Sequence, residues 1–300
     1  EIGGINNLLS PLLPAGFYYK TFMWPASFWK KYEYFIRKSA GLGKSPTEPD
    51  PDIYEHKYIH CDVLIIGAGI SGILAAKTAA KNGFKTLLVD EKPYLGGSTI
   101  YQNSEHFKIN NQTSSSWLEK EINEIKKIRN LKIKTRTSVA AFHGYNFLLA
   151  RENLTDHLPL DQRNNKTRHR LLKIRANKVI TATGSLERPL IFDNNDRPGI
   201  FLSSAVEKYA NLFGVSCGEK NVLFTNNDSA YETAISLFQK GINVEAIIDN
   251  REEIDSKLIK ETEKNNIKVY KGYTVVNTSG YKRINSISIM QLSKDGQKVV

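Results

Sequence analysis

A glycine-rich loop between a predicted strand and a predicted helix constrains this chain more than any other feature. The loop is Gly67-Ala-Gly69-Ile-Ser-Gly72, between the apolar run 61–66 (CDVLII) and the helical pattern 73–83 (ILAAKTAAKNG). A second apolar run, 84–90 (FKTLLVD), follows and completes a βαβ unit. In such units the three glycines permit a tight turn, close approach to a pyrophosphate, and tight packing of helix on strand. The loop therefore predicts a bound dinucleotide.

Acidic and small residues after the loop support this interpretation. Asp90 closes the second strand, Glu91 and Lys92 follow, and the segment Leu95-Gly-Gly97-Ser98 forms a second loop. An acid at the end of this strand accepts hydrogen bonds from ribose hydroxyls and disfavours a 2'-phosphate, so NAD or FAD is expected rather than NADP. We expect the cofactor to contact these residues: Gly67, Ala68, Gly69, Ser71, Gly72, Asp90, Glu91, Lys92, Gly97 and Ser98.

Further motifs narrow the fold. The order glycine loop, Asp90-Glu91, Leu-Gly-Gly and then Ile180-Thr-Ala-Thr-Gly-Ser-Leu-Glu-Arg-Pro189 resembles the two-dinucleotide-domain flavoproteins of the glutathione reductase class. That resemblance implies that Thr183 and Gly184 lie close to the cofactor and that Val139 lies against adenine. The fold class is predicted as α/β, with a Rossmann-like dinucleotide-binding domain that carries a β-meander and a second, degenerate Rossmann-like domain.

Three domains are predicted along the chain. Residues 1–60 are an aromatic-rich arm (FYYKTFMWPASFWKKYEYF, 17–35) and a Pro-rich linker, and we expect the first strand to begin at Cys61. Residues 61–190 are the dinucleotide-binding domain. Residues 191–300 are an incomplete second domain, in which 221–249 repeat the βαβ outline.

The loop of the second βαβ unit lacks glycine. Thr225-Asn226-Asn227 stands where a pyrophosphate loop is expected, and Asp228 is predicted as the N-cap of the following helix. Side chains at these positions would occupy the room of a pyrophosphate and resist positive backbone angles. We therefore expect the second site to hold no dinucleotide.

Longer phrases give a more specific resemblance. They are PLLPAGFYYKTFMWP (11–25), AGLG with the following DPD, HCDVLIIGAG (60–69), ATGSLERPLIFDNNDRPGIF (182–201) and FTNNDSAY (224–231). Together they resemble the alpha subunit of heterotetrameric sarcosine oxidase over nearly the whole chain. The family's ferredoxin-like and folate-binding modules are absent from this sequence, which suits a fragment from the middle of such a subunit.

The resemblance implies an oxidoreductase assembly. Such an alpha subunit holds NAD at the first site, with FAD as the alternative, while FAD and covalent FMN lie on the beta subunit. The complex, which also has gamma and delta subunits, converts sarcosine to glycine with H2O2 and either 5,10-methylenetetrahydrofolate or formaldehyde. Tetrahydrofolate would bind the absent carboxy-terminal module. The resemblance assigns no catalytic residue to this chain.

Alternative functions remain open from the sequence. Opine oxidase and hydrogen cyanide synthase subunits share this domain, and a free-standing FAD-dependent pyridine nucleotide-disulfide oxidoreductase is a further possibility. A non-catalytic interaction subunit could also retain the dinucleotide only for stability. The Thr-Asn-Asn loop and the lack of a Cys pair argue against the reductase.

Composition excludes several other classes. The formal charge is +11, but acids alternate with bases in segments such as 120–129 (KEINEIKKIR), which is typical of a solvated helix and predicts no nucleic-acid partner. Two cysteines suit a reducing compartment, and the longest apolar run is shorter than the ~20 residues of a membrane helix. The histidines form no metal-binding pattern. We expect a cytoplasmic protein with neither metal nor membrane contact.

Overall fold

The structure is a computed structural model that describes residues 24–41, 43, 46–102, 108–254 and 256–300. The chain divides into two compact units, Glu1–Pro51 and Asp52–Val300. In the first unit, a 3-10 turn at Ala26–Phe28 leads into helix α1, Trp29–Ser39. Residues 17–23 of the predicted aromatic arm lie outside the described residues. The same holds for residues 11–23 of the phrase PLLPAGFYYKTFMWP, on which part of the family resemblance rests.

The second unit alternates strands and helices. Its strands are β1 Ile53–Ile66, β2 Thr86–Val89, β3 Lys108–Ile109, β4 Gln112–Thr113, β5 Leu131–Lys134, β6 Thr137–His143, β7 Phe147–Asn153, β8 Thr167–Thr181, β9 Asn221–Thr225, β10 Val244–Asp249, β11 Lys268–Lys271, β12 Tyr273–Ser279 and β13 Ser286–Gln291. Its helices are α2 Ile70–Lys81, α3 Ser114–Ile125, α4 Ser203–Phe213, α5 Ser229–Gln239 and α6 Ser256–Lys264. Short 3-10 turns occupy Gly97–Ile100, Gly144–Asn146 and Leu160–Gln162.

The first glycine loop joins helix α2 to β1 of a six-stranded sheet. The strand order of this sheet is β5-β2-β1-β8-β7-β6. Strands β5, β2, β1 and β8 are parallel, and β8, β7 and β6 form the predicted antiparallel meander. Strand β1 begins at Ile53, not at Cys61 as predicted, because residues 54–60 pair with residues 169–175 of β8. Charged and aromatic side chains on this extension conceal the strand in the sequence.

Two apolar clusters cover the faces of this sheet. Helices α2 and α3 pack on one face through Ile65, Ile73, Leu88, Trp117 and Ile125, all of them buried. The other cluster joins the parallel strands to the meander and includes the fully buried side chains of Leu64, Leu148, Leu172 and Ile174. Burial of this apolar area is the main stabilising contribution to such a layered fold.

Helix α3 shows how local chemistry sets a boundary that periodicity missed. The charge pattern of residues 120–129 predicts a helix there, whereas the structure has Ser114–Ile125. The side chain of Thr113 accepts a hydrogen bond from the Ser116 N–H and so caps the helix upstream of Trp117.

The second Rossmann-like module is smaller. Its parallel strands have the order β11-β10-β9, and helix α5 packs on them through Tyr231, Ala234 and Leu237, which are buried. The antiparallel pair β12–β13 follows and packs against β10 through Val275. Strand β9, helix α5 and strand β10 confirm the predicted second βαβ unit over 221–249. The proposed domain boundaries at 60 and 190 stay predictions.

Candidate functional site: the first glycine loop

Gly67 forms the turn between β1 and α2. Its φ of +100° lies in the region that favours glycine, and its N–H donates to the carbonyl of Val89 at 2.8 Å. A Cβ at this position would lie 2.3 Å from the carbonyl oxygen of Ala182. The backbone that directly follows β8 therefore leaves no room for any other residue here.

The other two glycines of the loop differ from each other. A Cβ at Gly72 would lie 1.8 Å from the carbonyl oxygen of Gly67, so this residue permits helix α2 to pack on the loop. A Cβ at Gly69 would meet nothing within 4 Å. Gly69 is the N-cap of α2, and no side chain accepts a hydrogen bond there. The start of α2 thus has no side-chain cap and has open space beside Gly69, an arrangement that suits phosphate binding at a helix N-terminus.

The Gly-Gly loop packs directly on the first loop. The N–H of Gly96 donates to the carbonyl of Ala68 at 2.7 Å. A Cβ at Gly97, whose φ is +58°, would approach the Cα of Gly69 to 3.0 Å. Ser98 follows, and its side chain is exposed at the start of the short 3-10 turn. The two glycine loops together form one cradle with room on the side of Gly69.

The acids after β2 have separate roles in this structure. Asp90 accepts one hydrogen bond from the Ala68 N–H at 2.6 Å and another from the Lys92 N–H at 2.7 Å. The Glu91 carboxylate is 61% exposed and lies 2.7 Å from the Lys92 ammonium, and this hydrogen bond raises the pKa of Lys92. Asp90 holds the loop, whereas Glu91 and Lys92 face solvent.

The meander is brought to the same region by backbone hydrogen bonds. The N–H of Thr137 donates to the Asp90 carbonyl at 2.8 Å, although β6 and β2 are not neighbours in the sheet. Val139 follows two positions later on β6 and is partly buried in the core. Thr183 and Gly184 are exposed directly after β8, and Gly184 has a φ of +72°. Their contact with a cofactor stays a prediction.

Glu187 has a role that sequence reasoning did not assign. Its carboxylate accepts hydrogen bonds from the Ser203 N–H and Oγ, both at 3.1 Å, and from the Ser204 N–H at 2.8 Å. Burial acts to raise the pKa of Glu187, but these hydrogen bonds leave it below its ordinary value. Glu187 thus ties the segment that follows β8 to the first residues of α4. One indication of this contact is present in the sequence, since Leu202, directly before the start of α4 at Ser203, has no side chain that can cap a helix.

The loop Thr225-Asn226-Asn227 is held by hydrogen bonds of its own side chains, at the place where the first glycine loop is open. Asn227 accepts from the Ser229 N–H at 3.0 Å and from its hydroxyl at 2.6 Å, beside the first turn of α5. Asp228 occupies the N-cap position as predicted, but its carboxylate caps nothing and instead lies 2.8 Å from Arg251. The N-cap prediction is confirmed for the position, but the side chain makes no capping hydrogen bond and pairs with the guanidinium instead.

The acid at the end of β10 is enclosed. Asp249 is fully buried, and its Oδ2 accepts from the Tyr231 hydroxyl at 3.0 Å and from Arg251 at 2.8 Å. Burial, then the Asp249 charge, raise the pKa of Tyr231. The Oδ1 of Asp249 accepts from the backbone N–H of Arg251 at 2.9 Å. An acid at this position of a Rossmann unit is the usual ribose ligand, but here both of its oxygens accept hydrogen bonds from the protein.

The structure offers no metal cluster and no activated thiol within its described residues. Among the described residues, no three His, Cys, Asp or Glu side chains are grouped so as to hold a metal ion. Burial raises the pKa of the Cys61 thiol to about 11, which disfavours the reactive thiolate. No helix in the described ranges combines the length and apolar character needed to cross a membrane. His106 lies outside the described residues.

Known proteins resemble this chain in both sequence and fold. The family model for FAD dependent oxidoreductases matches residues 62–181, which include both glycine loops and the meander. Solved structures share the fold. L-proline dehydrogenase from P. horikoshii has a TM-score of 0.57 at 22% identity, with 84% of this chain and 42% of that chain covered. For thioredoxin reductase from T. acidophilum the TM-score is 0.55 at 20% identity, with 77% and 71% covered.

Curated relatives are more similar in sequence. The sarcosine oxidase subunit alpha of Rhizobium meliloti is 41% identical over 84% of this chain, and that of Corynebacterium sp. strain P-1 is 35% identical over 85%. The chain spans 25% and 26% of the length of these two relatives. Over the residues that it comprises, the chain belongs to the family of sarcosine oxidase alpha subunits, within the FAD-dependent oxidoreductases.

Proposed function

We propose that this chain is the cofactor-holding segment of the alpha subunit of a heterotetrameric sarcosine oxidase, and that its first glycine loop binds NAD. The observation that carries the proposal is 41% identity to a sarcosine oxidase alpha subunit over 84% of the chain. The complex would oxidise sarcosine to glycine, with H2O2 and either 5,10-methylenetetrahydrofolate or formaldehyde as the other products. The flavins would lie on the beta subunit, and gamma and delta subunits would complete the assembly.

The cradle fits a dinucleotide. The open space beside Gly69 and the uncapped N–H groups of α2 would receive the pyrophosphate, with the Ala68, Ser71 and Gly72 backbone alongside. The exposed carboxylate of Glu91 would accept the ribose hydroxyls, since both Asp90 oxygens already accept backbone N–H groups. Lys92 would remain beside Glu91, and Ser98 would hydrogen-bond the adjoining phosphate or ribose. A bound NAD would supply a nicotinamide that accepts or donates hydride.

The second unit would serve packing and assembly. The side chains of Asn227 and Asp249 already accept hydrogen bonds from the protein, which argues against their use as phosphate and ribose ligands of a second dinucleotide. This supports a division of labour in which redox chemistry occurs on a partner subunit. We therefore assign no catalytic residue to this chain.

FAD at the first loop is the second candidate. The observation in its favour is the match of residues 62–181 to the FAD dependent oxidoreductase model. The same cradle suits the ADP half that NAD and FAD share. A related subunit that acts on an opine, or one from a hydrogen cyanide synthase, would have the same fold and the same cradle.

The decisive experiment identifies the cofactor and the substrate separately. The full-length chain would be purified from its complex and denatured, and the released dinucleotide identified by mass and visible absorbance. NAD without flavin supports the proposal, and FAD overturns the assignment of the first site. Oxygen uptake by the intact complex with sarcosine, compared with an opine and with glycine, tests the substrate. A response to the opine alone, or cyanide from glycine, would favour the corresponding rival.

A further inference from the structure

The part of the sheet that β1, β8 and β7 form has two faces that differ in charge. Where β1, β8 and β7 run side by side, cross-strand partners form four rows that begin with Tyr54, His56, Tyr58 and His60 on β1. Side chains alternate between faces along a strand, so each row lies on one face. We call this the outer face. It consists of Tyr54, His56, Tyr58, His60, Phe147, Leu149, Arg151, Asn153, His169, Leu171, Lys173 and Arg175.

Side-chain contacts confirm that these residues share a face. The ammonium of Lys173 lies 5.0 Å from the ring centre of Tyr58, and the guanidinium of Arg175 lies 5.0 Å from that of Phe147. The rings of Tyr54 and His169 are 5.9 Å apart. None of the residues of the outer face is buried, and Tyr58 is 68% exposed. Cations therefore lie over aromatic rings on an accessible surface.

Charge is segregated between the two faces. The two carboxylates within these strand segments, Glu55 and Glu152, both lie on the inner face, where each pairs with Arg170. The charged side chains of the outer face are all basic, namely Arg151, Lys173 and Arg175, and three histidines share the face with them: His56, His60 and His169. At its end, Asp156 of the loop between β7 and β8 lies 2.6 Å from His169. Within the paired segments 54–60, 147–153 and 169–175, the outer face carries no Asp or Glu.

We propose that the outer face is a docking surface for an acidic protein surface on another subunit of the oxidase complex. This rests on the proposed function, because it presumes that complex. Exposed aromatic rings and Arg are enriched in protein interfaces, and a one-sign charge pattern requires an oppositely charged partner. A second copy of this chain would oppose bases with bases, which costs free energy. Aromatic and basic residues are mixed across the four rows, so a folded partner could contact both kinds of side chain over one continuous surface.

The test uses the complex assembled from full-length subunits. Arg151→Glu with Lys173→Glu reverses two charges of the outer face. Lys282→Glu with Arg283→Glu makes the same charge change in the exposed turn between β12 and β13. Subunit dissociation would be measured against salt concentration, together with the dinucleotide content and thermal unfolding of each variant. We expect the outer-face variant to bind its partner at least about tenfold more weakly and with a smaller salt dependence, and the control to match the wild type.

A second measurement identifies the partner surface. A photo-crosslinking phenylalanine in place of Tyr58 should attach to a segment of another subunit that is rich in Asp and Glu. Unchanged assembly of the charge-reversed variant, with its cofactor retained, would overturn this inference and leave the proposed function intact. Displacement of the partner by single-stranded oligothymidylate would instead indicate a nucleic-acid surface. A wild-type chain that binds no other subunit would contradict both proposals.

Discussion

The Oδ2 atom of Asp90 lies 2.6 Å from the backbone nitrogen of Ala68 and ties the end of β2 to the first glycine loop. Its other oxygen accepts the N–H of Lys92 at 2.7 Å, so one carboxylate fixes both sides of the cradle. An acid at this place in the sequence suggests a ribose ligand. The geometry instead favours Asp90 as a residue that positions the loop, with Glu91 left for the ribose.

Replacement of Asp90 by Asn should therefore weaken both the fold and the cradle. The amide has one acceptor oxygen, so one of the two N–H groups loses its partner, at a cost of about 1 to 3 kcal/mol in the free energy of unfolding. Urea unfolding and dinucleotide content measure the two effects. Asp62→Asn is the control, because Asp62 also accepts a backbone N–H, that of Lys85, away from the loop. Full cofactor content in Asp90→Asn would contradict the positioning role.

Gly69→Leu should remove the cofactor without unfolding the chain. The φ of Gly69 is −72° and its Cβ position is open, so a side chain costs about 1 kcal/mol or less yet fills the phosphate space. Dinucleotide binding should fall at least about tenfold, as measured by calorimetry on cofactor-stripped protein. Gly144→Leu, at another open glycine in the turn between β6 and β7, should leave binding and stability unchanged.

Gly72→Ala should have the opposite profile. Its Cβ would collide with the Gly67 carbonyl at 1.8 Å, and relief of that contact requires movement of the backbone. We expect a loss of about 1 to 3 kcal/mol in stability, seen as a lower thermal unfolding midpoint. A Gly72→Ala protein as stable as the wild type would show that α2 packs less closely on the loop than described.

Tyr231→Phe tests the enclosure of Asp249. The change leaves a fully buried carboxylate without its hydroxyl partner, and Arg251 remains as its counter-charge. Loss of that hydrogen bond should lower the free energy of unfolding by about 1 to 3 kcal/mol. Tyr281→Phe, at a tyrosine that is 88% exposed, should change it by less than about 0.5 kcal/mol. Equal effects of the two changes would count against the network.

Asp156 should make stability depend on acid pH. Hydrogen bonds from His169 and Arg168 lower its pKa to about 2, from 3.8 in the unfolded chain. A lowered folded-state pKa contributes stability that is present above about pH 4 and is lost as the pH falls towards 2. Asp156→Asn should therefore flatten the fall in stability over this range, measured by urea unfolding at successive pH values. Asp161→Asn, in the same loop, should keep the wild-type slope.

The sequence was sufficient for the elements whose pattern is local. The alternation of strand, glycine loop and helix around Gly67 predicted the parallel pairing of β1 with β2. It was insufficient for the extension of β1 upstream of Cys61, since residues 53–60 are mostly exposed and carry no apolar period. That strand exists because β8 provides a partner remote in sequence.

The candidate site shows the same limit. Glycine spacing predicted which backbone positions lack room, as at Gly67 and Gly72. It did not distinguish Asp90 from Glu91, because the choice depends on which carboxylate the Ala68 N–H reaches in three dimensions. The tie of Glu187 to the start of α4, and the pairing of Asp228 with Arg251, likewise depend on contacts between distant segments.

The close approach of Gly97 to Gly69 also bears on how this cradle can evolve. The Cα of Gly69 would lie only 3.0 Å from a Cβ at position 97, so a mutation at 97 displaces the first glycine loop even though the two residues are far apart along the chain. The dependence runs in one direction, because a Cβ at Gly69 itself would meet nothing within 4 Å. In a lineage that abandons the cofactor, we therefore expect Gly69 to be replaced first and Gly97 to persist for as long as the two loops keep this packing.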